Sequence, residues 1–224
     1  MGPKNSVFER LKAKCPDSWE RYIRHAFVCQ LGAGTLPEAA FRHYLCQDYL
    51  FLIHFSRAYA LAAYKSDRLD EIRQAAETVT ALAGTEMQLH IGYCQKWGID
   101  EAALEATPEA PANLAYTRYV LERGQAGDLL DLHIALAPCV IGYAEIGRWL
   151  ASDPKTLQVG NPYKEWIDMY SGADYQAMAA DAIEFLDLLA ERRGGAARFD
   201  SLAATFQTAT ELEIGFWQMG MDAA

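Results

Sequence analysis

The sequence has no pair of cysteines spaced as CxxC, and its five cysteines, at 15, 29, 46, 94 and 139, are odd in number. Neither a zinc-binding framework nor a closed disulfide scaffold is expected from such a set, and a reduced, cytoplasmic setting fits it best. It also lacks any run of five like charges, so no charged tail is expected. A cationic surplus is absent too. With 30 acids against 20 bases the net charge is −10, which speaks against a nucleic-acid surface. No apolar run is long enough to cross a bilayer; the longest, Leu132 to Ala144, already contains His133 and Pro138. The opening stretch, MGPKNSVFERLKAKCPDSWERY, lacks the apolar core of a secretory leader. Glycine-rich phosphate loops are missing as well, since LGAGTLPEA (31–39) has neither the spacing nor the lysine of one.

Strand patterning is the last absence. Nowhere do four or more residues alternate apolar and polar with β-branched enrichment, so almost no strand is predicted. What is there is helical. Residues 37–66 open with Pro37, suited to a first helical turn, and run without a breaker. Residues 68–98 carry leucine, alanine and glutamate periodically up to a glycine, TPEAP (107–111) is a loop, and 112–125 is a helix. A further helix starts near Asp128 as N-cap and ends before SDP (152–154). Residues 161–172, 173–195 and 198–221 complete the set. There is no internal repeat or low-complexity linker. The expected architecture is one all-α domain over 1–224, a bundle of about eight helices. Stretches 44–63 and 128–150 are apolar around much of their girth, which places them at the centre of the fold or against partner subunits.

Chemistry is sought where polar residues interrupt those apolar stretches. In LHIALAPCVIGYAEIG (132–147) a proline and a cysteine sit side by side mid-helix. An interior proline has no amide hydrogen and its ring clashes with the carbonyl four residues back, a cost of about 3 kcal/mol or more. Two readings of Cys139 stay open: a small buried hydrophobe, or a thiol that the proline kink exposes to a ligand. Cys15, Cys29, Cys46 and Cys94 read as buried hydrophobes. Tyr143 lies four residues after Cys139 on the same face, and Tyr116 and Tyr119 lie on the preceding helix.

Asp48 is an acid in an aromatic stretch, with Phe51 and Phe55 three and seven residues on. Glu213 has the same character, three residues before Phe216 and four before Trp217, whereas Glu211 reads as solvated. A buried carboxylate is costly unless paired, so Asp48 is either a salt-bridge partner or a ligand contact. A thiol, two carboxylates and several aromatics suit a flat nitrogen heterocycle: rings stack, carboxylates bond ring nitrogens and amines, and a thiolate attacks an electron-poor carbon. Glu86 and His90 stand at i, i+4 in EMQLH, a possible metal pair, but the Glu-x-x-His motif of di-iron bundles is absent. They are read as hydrogen-bonding residues, with metal a minority alternative.

The order LPEAAFRHYLCQDYLFLIHF, EMQLH, AYTRYV, LAPCVIGYAEIG, NPYKEWIDMYSG and ELEIGFWQMG resembles the TenA, or thiaminase II, family over nearly the whole chain. That resemblance implies the helical fold shared with haem oxygenase, a homotetramer, no cofactor, and hydrolysis of aminopyrimidines in thiamine salvage. The implied substrate is the 5-aminomethyl pyrimidine or thiamine itself, with 4-amino-5-hydroxymethyl-2-methylpyrimidine as product. By position it implies Cys139 as nucleophile and Glu213 as the acid acting on a ring nitrogen. Asp48 is implied as the anchor of the 4-amino group, with Phe51, Tyr116, Tyr143 and Tyr170 at the family's aromatic places. Phe51 departs from the tyrosine of the best-known members and removes a hydroxyl near the thiol. The rivals are an oxidase on the same fold, metal-dependent or like the pyrroloquinoline-quinone synthase, and a non-catalytic pyrimidine binder.

Overall fold

A computed structural model describes residues 5–224, apart from the side chains at 85, 86 and 89. Three short helices come first: α1 (Val7–Lys14), α2 (Pro16–Ile23) and α3 (Ala26–Ala33). The long α4 (Glu38–Lys65) follows, then α5 (Leu69–Ala81), which passes through a π-helical turn, Leu82–Glu86, into α6 (Met87–Gln95). The rest are α7 (Glu101–Glu105), α8 (Pro111–Ala126), α9 (Leu129–Ser152), α10 (Lys164–Ser171), α11 (Ala173–Arg192) and α12 (Phe199–Asp222). Counting the π-bridged α5 and α6 as one, there are 11 helices and no strand among the described residues. The all-α reading holds, and the expectation of about eight helices is corrected upward. The additions are α1 to α3 and α7, each eight residues or fewer, too short to show a sustained period in sequence.

Four helices build the centre: α4, α8, α9 and α12 pack on one another, with α10 and α11 against α9 and α5 against α4. Their shared core is aromatic. Trp217 is fully buried and stacks on Phe27 at 5.1 Å and Tyr22 at 6.3 Å. As a correction to the expectation from the run 132–144 alone, α9 as a whole is long and apolar enough to cross a membrane, but 78% of its most apolar window is buried inside the bundle, the setting of a core helix.

α9 begins at the expected N-cap. Asp128 Oδ1 accepts the amides of Leu130 at 2.9 Å and Asp131 at 3.2 Å, and Asp131 Oδ2 accepts the Asp128 amide at 2.8 Å. This reciprocal box satisfies N-terminal donors that would otherwise be orphaned. Arg198 ties both acids to the start of α12, at 2.7 and 3.0 Å. Cys15 and Cys94 are buried as expected and Cys46 is half-buried. Cys29 is exposed, a correction: α3 buries Phe27, Val28, Leu31 and Gly32, and position 29 falls off that stripe.

Candidate active site

Pro138 does not break α9, which is α-helical from Leu129 through Ser152. Its carbonyl accepts the Tyr22 hydroxyl at 3.1 Å. Gly142 makes that approach possible, because a Cβ there would stand 2.5 Å from a Tyr22 ring carbon and 2.9 Å from its oxygen. Tyr22 therefore clamps the segment that carries Cys139 from behind.

Cys139 lines a cavity of about 1020 Å³ together with Asp48, Phe51, Tyr143 and Tyr170. Thus α4, α9 and α10 bring five of the seven sequence-derived site residues to one wall. The other two, Tyr116 from α8 and Glu213 from α12, stand directly behind it. Tyr116 donates its hydroxyl to Glu213 Oε1 at 2.9 Å, and the Cys139 thiol is a polar neighbour of the same carboxyl. Only 1% of Glu213 is exposed. Burial pushes its carboxyl from 4.5 up to about 8; the Tyr116 bond and the neighbouring Cys139 thiol oppose this and the Asp48 charge adds to it. Near neutral pH the group therefore holds a proton next to sulfur.

Asp48 is buried and held on one oxygen. His90 Nε2 lies 2.6 Å from Oδ2, and the Tyr44 hydroxyl donates to the same atom at 3.2 Å. Among the described residues no hydrogen bond reaches Oδ1, which leaves that oxygen to a ligand. Trp166 Nε1 donates to the Tyr44 hydroxyl at 3.3 Å, which lies 3.5 Å from that of Tyr143. A chain of polar groups thus runs from α10 to Asp48 beneath the cavity floor.

The rings set the shape of the inner end. Tyr143 meets Tyr170 edge-on at 4.9 Å, and Tyr170 packs on Trp166 at 4.5 Å. Phe51 lies 5.3 Å from Tyr116 and 5.1 Å from Phe55 in a stacked pair. Such aromatic faces, with one carboxylate and one thiol converging, match a flat heterocycle better than a flexible polar ligand.

Sequence reasoning missed Tyr44, although its i, i+4 spacing from Asp48 was visible. It found His90 as a hydrogen-bonding residue without finding its partner, 42 positions away. The Glu86 side chain lies outside the described residues. Among those described, no three His, Cys, Asp or Glu side chains converge as a metal-ligand set. Glu211 is partly exposed and bonds Arg21 at 2.9 Å, as its solvated reading expects.

Comparison with known proteins gives the following. The TENA/THI-4/PQQC family model matches residues 12–223. The aminopyrimidine aminohydrolase of Halalkalibacterium halodurans is 36% identical over 93% of this chain and 92% of its own length. The solved structure of a TenA family transcription regulator from Silicibacter sp. TM1040 is 53% identical. It superposes with a TM-score of 0.91 over 98% of each chain. A Shewanella denitrificans domain of heme oxygenase-like fold is similar in fold alone, at 16% identity and TM-score 0.73 over 96% of this chain and 92% of that one.

Proposed function

Since the chain belongs to the TENA/THI-4/PQQC family, we propose that it hydrolyses aminopyrimidines in thiamine salvage, with Cys139 as nucleophile. The reaction converts 5-aminomethyl-2-methylpyrimidin-4-amine and water into 4-amino-5-hydroxymethyl-2-methylpyrimidine and ammonia; thiamine would give the same pyrimidine and a thiazole. The observation that carries the reading is the Cys139–Glu213 pair. A thiol on the cavity wall has as its polar neighbour a buried carboxyl that keeps its proton to about pH 8.

Asp48, with Oδ2 fixed by His90 and Tyr44, offers Oδ1 to the 4-amino group and sets the ring in register with the thiol. Sulfur then bonds to the electron-poor ring carbon. Glu213 passes its proton to the adjacent ring nitrogen as it takes up the thiol proton, so the pair ends with one proton transferred and no net charge created. The substrate's amine enters as an ammonium, so the electron-rich adduct expels neutral ammonia from the exocyclic methylene and is left as a cation. Water adds to that carbon, losing a proton. The carbon–sulfur bond breaks as Glu213 returns its proton to sulfur and recovers the ring proton, which restores the thiol and the protonated acid.

The same reading places the protein in the cytoplasm as a homotetramer. Exposed apolar side chains such as Tyr64 and Val159, each 86% accessible, support further subunit contacts. Light scattering tests this against the 24.9 kDa chain. The activity itself is tested by incubating purified protein with the aminomethyl pyrimidine or thiamine and measuring ammonia or thiazole with the hydroxymethyl product. Ammonia release with stoichiometric product is the expected result. A protein that binds the pyrimidine without turnover would instead be a binder.

A further inference from the structure

The cavity that ends at Cys139 is much larger than one substituted pyrimidine. At about 1020 Å³ it reaches the upper end of the range that buries drug-sized ligands. Along α4 its wall is a single stripe of Asp48, Phe51, Phe55, Tyr59, Ala62 and Ser66. Those positions span about 27 Å at 1.5 Å of rise per residue. A pyrimidine gripped by Asp48 and Cys139 fills only the inner end.

The outer part has its own chemistry. His133 lines the same cavity from α9, six residues before Cys139 and so about 9 Å away along the axis. Its ring meets Phe185 edge-on at 5.0 Å and Tyr59 at 6.0 Å. Among the described residues no group hydrogen-bonds its nitrogens. Burial alone lowers its pKa to about 4, so the imidazole is neutral and carries one donor and one acceptor. The side chain is half-buried, so its nitrogens are met by whatever occupies the cavity, water or a ligand. Nearer solvent, Glu77, Asp174 and Asp181 line the same cavity and set a negative field at its mouth.

We propose that His133, with Tyr59 and Phe185, forms a second subsite for the group that leaves the pyrimidine's exocyclic methylene. The group it takes is a flat, uncharged or cationic ring bearing one hydrogen-bonding atom. His133 is then a specificity-determining contact for large leaving groups and idle when ammonia leaves. The acidic mouth disfavours the same ring carrying a phosphate. The proposal rests on the hydrolase reading above for its chemistry, but its binding component stands apart.

The test compares aminomethyl pyrimidine with its N-(pyridin-3-ylmethyl) derivative. His133→Phe keeps an aromatic ring of slightly larger size and removes the hydrogen bond. It should leave kcat/KM for the small substrate within about twofold and lower that for the derivative about tenfold, mainly through KM. Ala182→Phe, which fills the outer chamber from α11, should likewise reject the derivative and spare the small substrate. Equal effects on both substrates, or none on either, overturn the subsite. Calorimetry on Cys139→Ala keeps the two readings distinct. If the derivative binds more tightly than the small substrate and loses that advantage in the Cys139→Ala, His133→Phe double variant, the subsite stands even where no turnover occurs. If wild-type protein hydrolyses the small substrate while both compounds bind alike, the subsite falls and the hydrolase reading survives.

Discussion

Replacing Glu213 by glutamine should change how stability depends on pH. A carboxyl raised from 4.5 to about 8 holds, between those values, a proton that the unfolded chain has released. Folded wild type therefore loses stability as pH rises through that window and levels off above it. At 1.36 kcal/mol per pH unit the full shift corresponds to about 5 kcal/mol, of which about 3–4 kcal/mol accrues between pH 5 and pH 8. Glutamine is a neutral stand-in for the protonated acid. Its carbonyl can accept the Tyr116 hydroxyl that Oε1 now accepts at 2.9 Å, and it has no proton to lose. Urea denaturation of both proteins at pH 5, 6, 7 and 8 isolates the residue, because the other titrating groups are common to both. Glu213→Gln should be close to wild type at pH 5 and more stable by about 3 kcal/mol or more at pH 8, while turning over much more slowly. A difference that stays constant within about 1 kcal/mol across the series would refute the claim that burial keeps Glu213 protonated.

Other expectations concern its neighbours. The wild-type kcat should fall above about pH 8 as Glu213 loses its proton, which a stopped assay over pH 6–9.5 would show. Asp48→Asn should raise KM about tenfold with a smaller effect on kcat. His90→Gln, which loosens the 2.6 Å contact to Asp48, should move KM in the same direction by less; an unchanged KM in both variants would remove Asp48 as anchor. Gly142→Ala drives a methyl into Tyr22 and should cost about 1–3 kcal/mol by thermal or urea unfolding.

The long elements were readable because their signals are local. Asp128 before an apolar run marks an N-cap, and its box is in the structure. The helices α1 to α3 were not readable, since Cys15–Pro16 and the turn at Gly34 cut the N-terminal stretch into pieces of eight residues. Asp48, Glu213 and Cys139 stood out as polar interruptions of apolar faces, and they do converge. Depth did not stand out. That Glu213 lies behind the thiol, and that His90 grips Asp48 from 42 residues away, follows from how α4, α6, α9 and α12 pack. Pro138 suggested a kink, whereas α9 runs on through it with Tyr22 bonded to its carbonyl. The outer limb of the cavity also depends on packing, because it is bounded by α5 and α11, which no single stretch of sequence brings together.

The most direct measurement is ammonia release from the aminomethyl pyrimidine by Cys139→Ala, with binding of the same compound followed by calorimetry. A loss of turnover of about a thousandfold or more, with binding retained through Asp48, is the expected result. Turnover near the wild-type rate would show that sulfur takes no part in the chemistry and would contradict the account at its centre.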